Sequence, residues 1–127
     1  MNDQQTPVSE AIDPEVLGQL KELQRMSNPR LLRELYGIYV KNALVKRNLL
    51  REAVANGDSK AIFIHAHSLK SSSGNIGALV LSKLVSEIES LGRNNEGSKA
   101  GEKYPPFDTE FERVLLAIEA ILVNEPT

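Results

Sequence analysis

The sequence predicts an all-α fold, an antiparallel four-helix bundle with an additional short N-terminal helix covering one end. Three observations predict it. Four long stretches repeat apolar residues at helical spacing, most links between them are short, and no stretch alternates as a half-buried strand would. A chain of 127 residues, 41% of them apolar, suffices for one core and not for two. Residues 12–127 are assigned to this domain, and residues 1–11 to a flexible N-terminal tail.

Each element has its own signal. Asp13 followed by Pro14 is an N-cap with proline at the first helical position, and that helix runs to about Met26 with Val16, Leu17, Leu20 and Leu23 on one side. Asn28-Pro29 repeats the start signal. The helix it opens carries Leu31, Leu35, Ile38, Val45 and Leu49, with Leu32, Tyr36 and Tyr39 alongside, and ends at Asn56-Gly57. Core packing is the expected role of the two tyrosines. Asp58 caps a third helix, in which Ile62, Ala66, Leu69, Ser73 and Ile76 recur every three or four residues up to Gly77. The fourth helix shows Leu81, Leu84, Ile88 and Leu91, and stops at Gly92. Residues 92–106 read as a polar loop ended by Pro105 and Pro106. A last helix follows with Phe107, Phe111, Val114, Ile118 and Ile121, and with Thr109 and Glu112 at capping-box spacing.

Composition removes several function classes. A formal charge of −2 offers no basic face for nucleic acid. The longest apolar runs, Ala78 to Leu81 and Val114 to Ile118, are far short of a membrane span. Without cysteine there is no disulfide, no thiolate metal site and no cysteine nucleophile. The polar start MNDQQTPVSEA lacks the features of a signal peptide, so a cytoplasmic location is expected.

The chemistry concentrates in the third helix. Its two histidines, His65 and His67, adjoin SLKSSSGNIG, a stretch of poor helix formers. On a wheel of about 100° per residue, His67 lies nearly opposite the stripe of Ile62, Ala66, Leu69, Ser73 and Ile76 and projects into solvent. His65 falls at the margin of the core face, where a partly buried histidine with a hydrogen-bond partner is expected. The pair cannot share a metal ion, because i and i+2 point about 160° apart. Beside His67 on the outward face stand Phe63, Lys70, Ser71 and Gly74. Neutral imidazole is a competent nucleophile near pH 7, and Lys70 could steady the oxygens of a phosphoryl group. The small residues at 71 and 74 leave room for another molecule to reach the imidazole. A convex helix face has no pocket for a hydrolase, so the arrangement suits a group carrier whose activating machinery belongs to a partner.

The segment AHSLKSSSGNIGA, residues 66–78, resembles the signature of histidine-containing phosphotransfer (HPt) domains, approximately A-H-x-L-K-G-S-S-x-x-h-G-A, where h is apolar. His67, Leu69, Lys70, Ser72, Ser73, Ile76, Gly77 and Ala78 match in register, and helix number and order agree over about residues 12–124. Ser71 departs from the pattern, which has glycine there. The resemblance implies a phosphorelay intermediate that takes a phosphoryl group on His67 from the aspartate of a receiver domain and passes it to another receiver, with Lys70 near the group. It implies response-regulator receivers or a hybrid sensor histidine kinase as partners, and Phe63, Ser71 and Gly74 as docking residues. It implies Mg²⁺ held by the receiver, no cofactor on this chain, no ATP-dependent kinase activity, and a monomer.

Two alternatives remain at this point. The phosphoacceptor region of a histidine kinase carries H-E-[LI]-R-x-P, whereas this chain has H-S-L-K-S and no room for a nucleotide-binding domain. A helical adaptor that binds signalling partners without phosphorylation would keep the fold, but retention of both His67 and Lys70 speaks against it.

Overall fold

The computed structural model describes residues 10–125, and every regular element in that range is helical. Five α-helices follow in order: α1 (Pro14–Met26), α2 (Leu31–Ala55), α3 (Ser59–Asn75), α4 (Leu79–Arg93) and α5 (Tyr104–Val123). A 3₁₀ segment, Gly97–Glu102, separates α4 from α5. Helices α2 to α5 form the antiparallel bundle, and α1 covers the end where α3 turns into α4. Residues 1–9 of the expected tail lie outside the described residues, while Ala11 and Ile12 are buried.

Two of the expected caps form. Asp13 accepts a hydrogen bond from the Val16 amide at 3.1 Å with Pro14 behind it, and Asp58 accepts from the Ala61 amide at 3.2 Å. Gly57 turns the chain out of α2 at a φ of 61°. The α3–α4 turn depends on Gly77, whose φ is 90° and where a Cβ would come within 3.1 Å of Val16. Its carbonyl accepts from the Asp13 amide at 2.8 Å, which ties the start of α1 to that turn. At the far end of α1, Gln24 accepts from the Leu32 amide at 2.9 Å and donates to Glu125 at 2.8 Å.

The core is built from the stripes read on α3, α4 and α5. Ile62, Ala66, Leu69, Ser73 and Ile76 are all buried, as are Leu81, Ile88, Phe107, Phe111, Val114 and Ile118. Four expectations need correction. On α2 the buried residues are Leu32, Tyr36, Tyr39, Ala43, Leu50 and Ala53, whereas Ile38, Val45 and Leu49 are exposed. The two tyrosines win that face because their hydroxyls find buried acceptors: Tyr36 donates to the Ile76 carbonyl at 3.0 Å, and Tyr39 shares a 2.8 Å hydrogen bond with Ser73. Helix α2 begins at Leu31, and Asn28 closes the preceding turn by accepting from the Arg30 amide at 2.9 Å. Helix α5 begins at Tyr104, with Pro105 and Pro106 in its first turn where amide donors have no helical partner, so Thr109 is interior and caps nothing. The segment read as a loop contains the 3₁₀ turn, anchored by buried Ala100.

Arg47 joins α2 to α5. Its guanidinium pairs with Glu112 and, at 3.6 Å, with Asp108, and lies 4.5 Å from the centre of the Phe111 ring. No helix among the described residues is long and apolar enough to cross a membrane.

Candidate functional site

Helices α3 and α4 are the most intimately packed pair, and Gly92 is the reason they can be. A Cβ there would stand 2.7 Å from both the Phe63 amide nitrogen and the Ser59 carbonyl oxygen. That close approach places one face of α4 directly beside the histidine of α3.

The side chain of His67 is 56% exposed, which matches the wheel. Its Nδ1 lies 2.5 Å from Oε2 of Glu89, a residue of α4 that is almost wholly buried. The other carboxylate oxygen, Oε1, accepts from Lys70 Nζ at 2.6 Å, and Arg93 approaches Oε2 at 3.4 Å. One buried carboxylate therefore gathers an imidazole, an ammonium and a guanidinium. Burial alone would push the Glu89 pKa up. Hydrogen bonds from Lys70 and His67, with the charges of Lys70 and Arg93, outweigh that and hold it below the usual value of 4.5. The lowered value fixes the sign: the ionised carboxylate supports this arrangement above about pH 4.5, and the support is lost as acid protonates it below that value.

An ionised carboxylate can only accept a hydrogen bond, so Nδ1 of His67 carries a proton, and in the neutral ring Nε2 keeps the lone pair. Phe63 fixes the ring from the other side, stacked with centroids 5.6 Å apart and planes inclined by 24°. Arg93 lies in turn 5.5 Å from the Phe63 ring centre. The imidazole is held at one nitrogen and one face, while the other nitrogen is available for attack.

The expected site residues take different places. Lys70 reaches Glu89 and lies beside the imidazole through that shared carboxylate. Phe63 supports the ring, as well as standing at the surface. Ser71 is exposed and its hydroxyl makes no hydrogen bond among the described residues, and Gly74 lies near α4, where a Cβ would stand 3.6 Å from Ser82 Oγ. His65 is half-buried, and its Nδ1 is shielded without the hydrogen-bond partner that was expected. Burial and then Lys46 lower its pKa, against the opposing pull of Asp58, which favours its neutral form. No group of His, Cys, Asp or Glu among the described residues could hold a metal ion.

Glu89 and Arg93 were missed from the sequence. The signal was the turn: His67 and Glu89 are each eleven residues from Ala78, and Phe63 and Arg93 are each fifteen. In an antiparallel helical hairpin centred there, such positions meet.

A cleft of about 170 Å³ lies between α2 and α3. Ile38 and Asn42 line one wall, and Ser72 and Asn75 line the other.

A family model described as the Hpt domain matches residues 34–121, a range that includes His67, Lys70, Glu89 and Arg93. No curated protein sequence matches the chain. Among solved structures, the crystal structure of histidine-containing phosphotransfer protein B (HptB) from Pseudomonas aeruginosa PAO1 is similar, with a TM-score of 0.80 and 26% sequence identity over 92% of this chain and 98% of that one.

Proposed function

The chain belongs to the Hpt domain family and is a histidine phosphotransfer protein of a phosphorelay; on that premise we propose that His67 is the phosphorylated residue and that Nε2 is the atom that carries the group. The observation that supports this most is the bond from His67 Nδ1 to the buried Glu89 carboxylate, which leaves Nε2 as the exposed nucleophile. In the transfer, the Nε2 lone pair attacks phosphorus of a receiver's aspartyl phosphate. The P–O bond to the aspartate breaks, and its electron pair leaves with the receiver carboxylate. The proton stays on Nδ1, and Glu89 balances the positive charge that the ring acquires. Onward transfer is the reverse step to another receiver. Lys70, 2.6 Å from Glu89 and 32% exposed, is close enough to turn toward the phosphoryl oxygens.

Receiver domains or a hybrid sensor histidine kinase are the partners in this reading. Mg²⁺ is held by the receiver, the chain needs no cofactor, and it acts as a cytoplasmic monomer. The docking face comprises His67, Ser71 and Ile64 on α3 and the exposed Ile38, Val45 and Leu49 on α2, with the cleft between them. The adaptor alternative draws no support from either similarity. Labelled phosphate from a phosphorylated receiver should appear on the protein in an acid-labile, base-stable form, as an N–P bond requires, and ATP alone should give none. An acid-stable label, or labelling by ATP alone, would overturn the proposal.

Glu89→Ala should slow transfer by roughly 10-fold or more, because the partner that fixes the His67 tautomer is lost. Some thermal stability should be lost as well, because the truncation empties a buried position, but no charge is stranded, since His67, Lys70 and Arg93 all reach water. Glu89→Gln keeps an acceptor for Nδ1 and should recover part of the rate. Single-turnover transfer measures both, and equal rates for parent and alanine variant would remove Glu89 from the mechanism.

Ser71 stands one turn from His67, where a receiver must come within bonding distance of Nε2. Ser71→Gln should keep the melting curve and cut transfer by about 100-fold through displacement of the incoming phosphoryl group. A glutamine variant with the parental transfer rate would place the docking face elsewhere.

A further inference from the structure

A shallow notch of about 360 Å³ lies beside the phosphotransfer face, between the first turns of α3 and the end of α4. Ser59, Lys60, Phe63, Gly92, Arg93 and Asn95 line it. We propose that this notch receives an acidic side chain of the receiver domain that docks over His67, and that Lys60 and Arg93 thereby select which receivers the protein serves. The inference rests on the phosphotransfer reading and adds to it the chemistry of partner choice.

Charge is the first reason. Two of the six lining residues are cations and none is an acid, in a chain whose formal charge is −2. Lys60 is exposed, and its side chain has no ion pair or hydrogen bond among the described residues. It also stands in the first turn of α3, where the helix dipole disfavours a cation, so helix stability does not account for it. Arg93 is 55% exposed and has a single 3.4 Å approach to Glu89, which leaves donors of its guanidinium for a second carboxylate.

Continuity is the second reason. Phe63 forms a wall of the notch and stacks on His67, and Arg93 lies on that same ring. A receiver seated over His67 therefore extends across the notch without a gap. Gly92 keeps the floor low, since any side chain there would meet α3. A basic rim beside an apolar docking face is where charge complementarity sets encounter rate and partner choice.

The test uses the whole protein, a receiver domain selected because it accepts phosphoryl groups from the phosphorylated parent, and the variants Lys60→Ala and Lys60→Glu. An acid in the first turn suits α3, so neither variant should melt below the parent. Phosphoramidate, which phosphorylates histidine without a receiver, should charge His67 equally in all three. The second-order rate of transfer to the receiver should fall roughly tenfold or more for Lys60→Glu and less for Lys60→Ala, and the differences should shrink as salt is raised. Equal transfer rates for all three proteins would overturn the inference and leave the phosphotransfer reading intact. Loss of phosphoramidate labelling in Lys60→Glu would also overturn it, because the notch would then serve small anions approaching His67. Failure of phosphoramidate to label His67 in the parent would strike the phosphotransfer reading itself, and the inference with it.

Discussion

A His67→Gln protein should take up no label from any phosphorylated receiver and should unfold within about 0.5 kcal/mol of the parent. The loss is complete because no other side chain supplies the nucleophile. His65 is half-buried, and its Nδ1 is shielded from solvent without a hydrogen-bond partner. Stability is spared for two reasons. The His67 side chain is more than half exposed, and a glutamine amide at that position can still donate to Glu89, which keeps Lys70 as well. His65→Gln is the matching control: it should retain uptake and lose some stability. Labelling of the His67 variant in a transfer assay, or its unfolding at room temperature, would each contradict this assignment.

Gly92→Ala should carry a large structural cost for a single methyl group. In an open helix the change would gain about 1 kcal/mol of helix propensity. Here the new Cβ would stand 2.7 Å from two backbone atoms of α3, which cannot rotate away, and 3.0 Å from Ile62 Cγ2. The helices must move apart, and overpacking of this kind costs about 1–3 kcal/mol. The net cost of about 0–2 kcal/mol lowers the melting temperature by up to roughly 10 °C. Transfer should slow too, since Glu89 lies one turn from Gly92 and holds His67 across the same helix pair. An alanine variant that melts at or above the parental temperature would mean that α3 and α4 approach less closely than described.

The legible and illegible parts of the molecule divide along physical lines. Helix α3 was readable because Ile62, Ala66, Leu69, Ser73 and Ile76 define one buried stripe. That stripe placed His67 in solvent, where the structure has it. Helix α2 offers two interleaved stripes. Aliphatic bulk favoured Ile38, Val45 and Leu49, but the packed face uses Tyr36 and Tyr39, whose hydroxyls are satisfied by α3, and Ala43 and Ala53, which occupy little space. Hydrophobicity alone ranks such faces wrongly, because it omits the acceptors waiting on the neighbouring helix. The displaced aliphatics now face solvent.

Glu89 was hidden for a related reason. It follows Ile88 and precedes Ser90 and Leu91, and a glutamate in that setting reads as a solvated residue. Its burial depends on three cationic or titratable partners, two of them from another helix, and no local pattern announces them. The prolines before Phe107 were read as the end of a loop, whereas they form the first turn of α5, where proline's missing amide costs nothing.

The central claim is that Glu89 holds the proton on Nδ1 and so directs the phosphoryl group to Nε2 of His67. The most direct measurement is nitrogen and phosphorus NMR of protein labelled with ¹⁵N in its histidines, before and after phosphorylation by a receiver. Before phosphorylation, His67 should show a protonated Nδ1 and an unprotonated Nε2; afterwards, phosphorus coupling should appear at Nε2 of His67, with both nitrogens of His65 unchanged. Coupling at Nδ1 of His67, or at either nitrogen of His65, would contradict the claim.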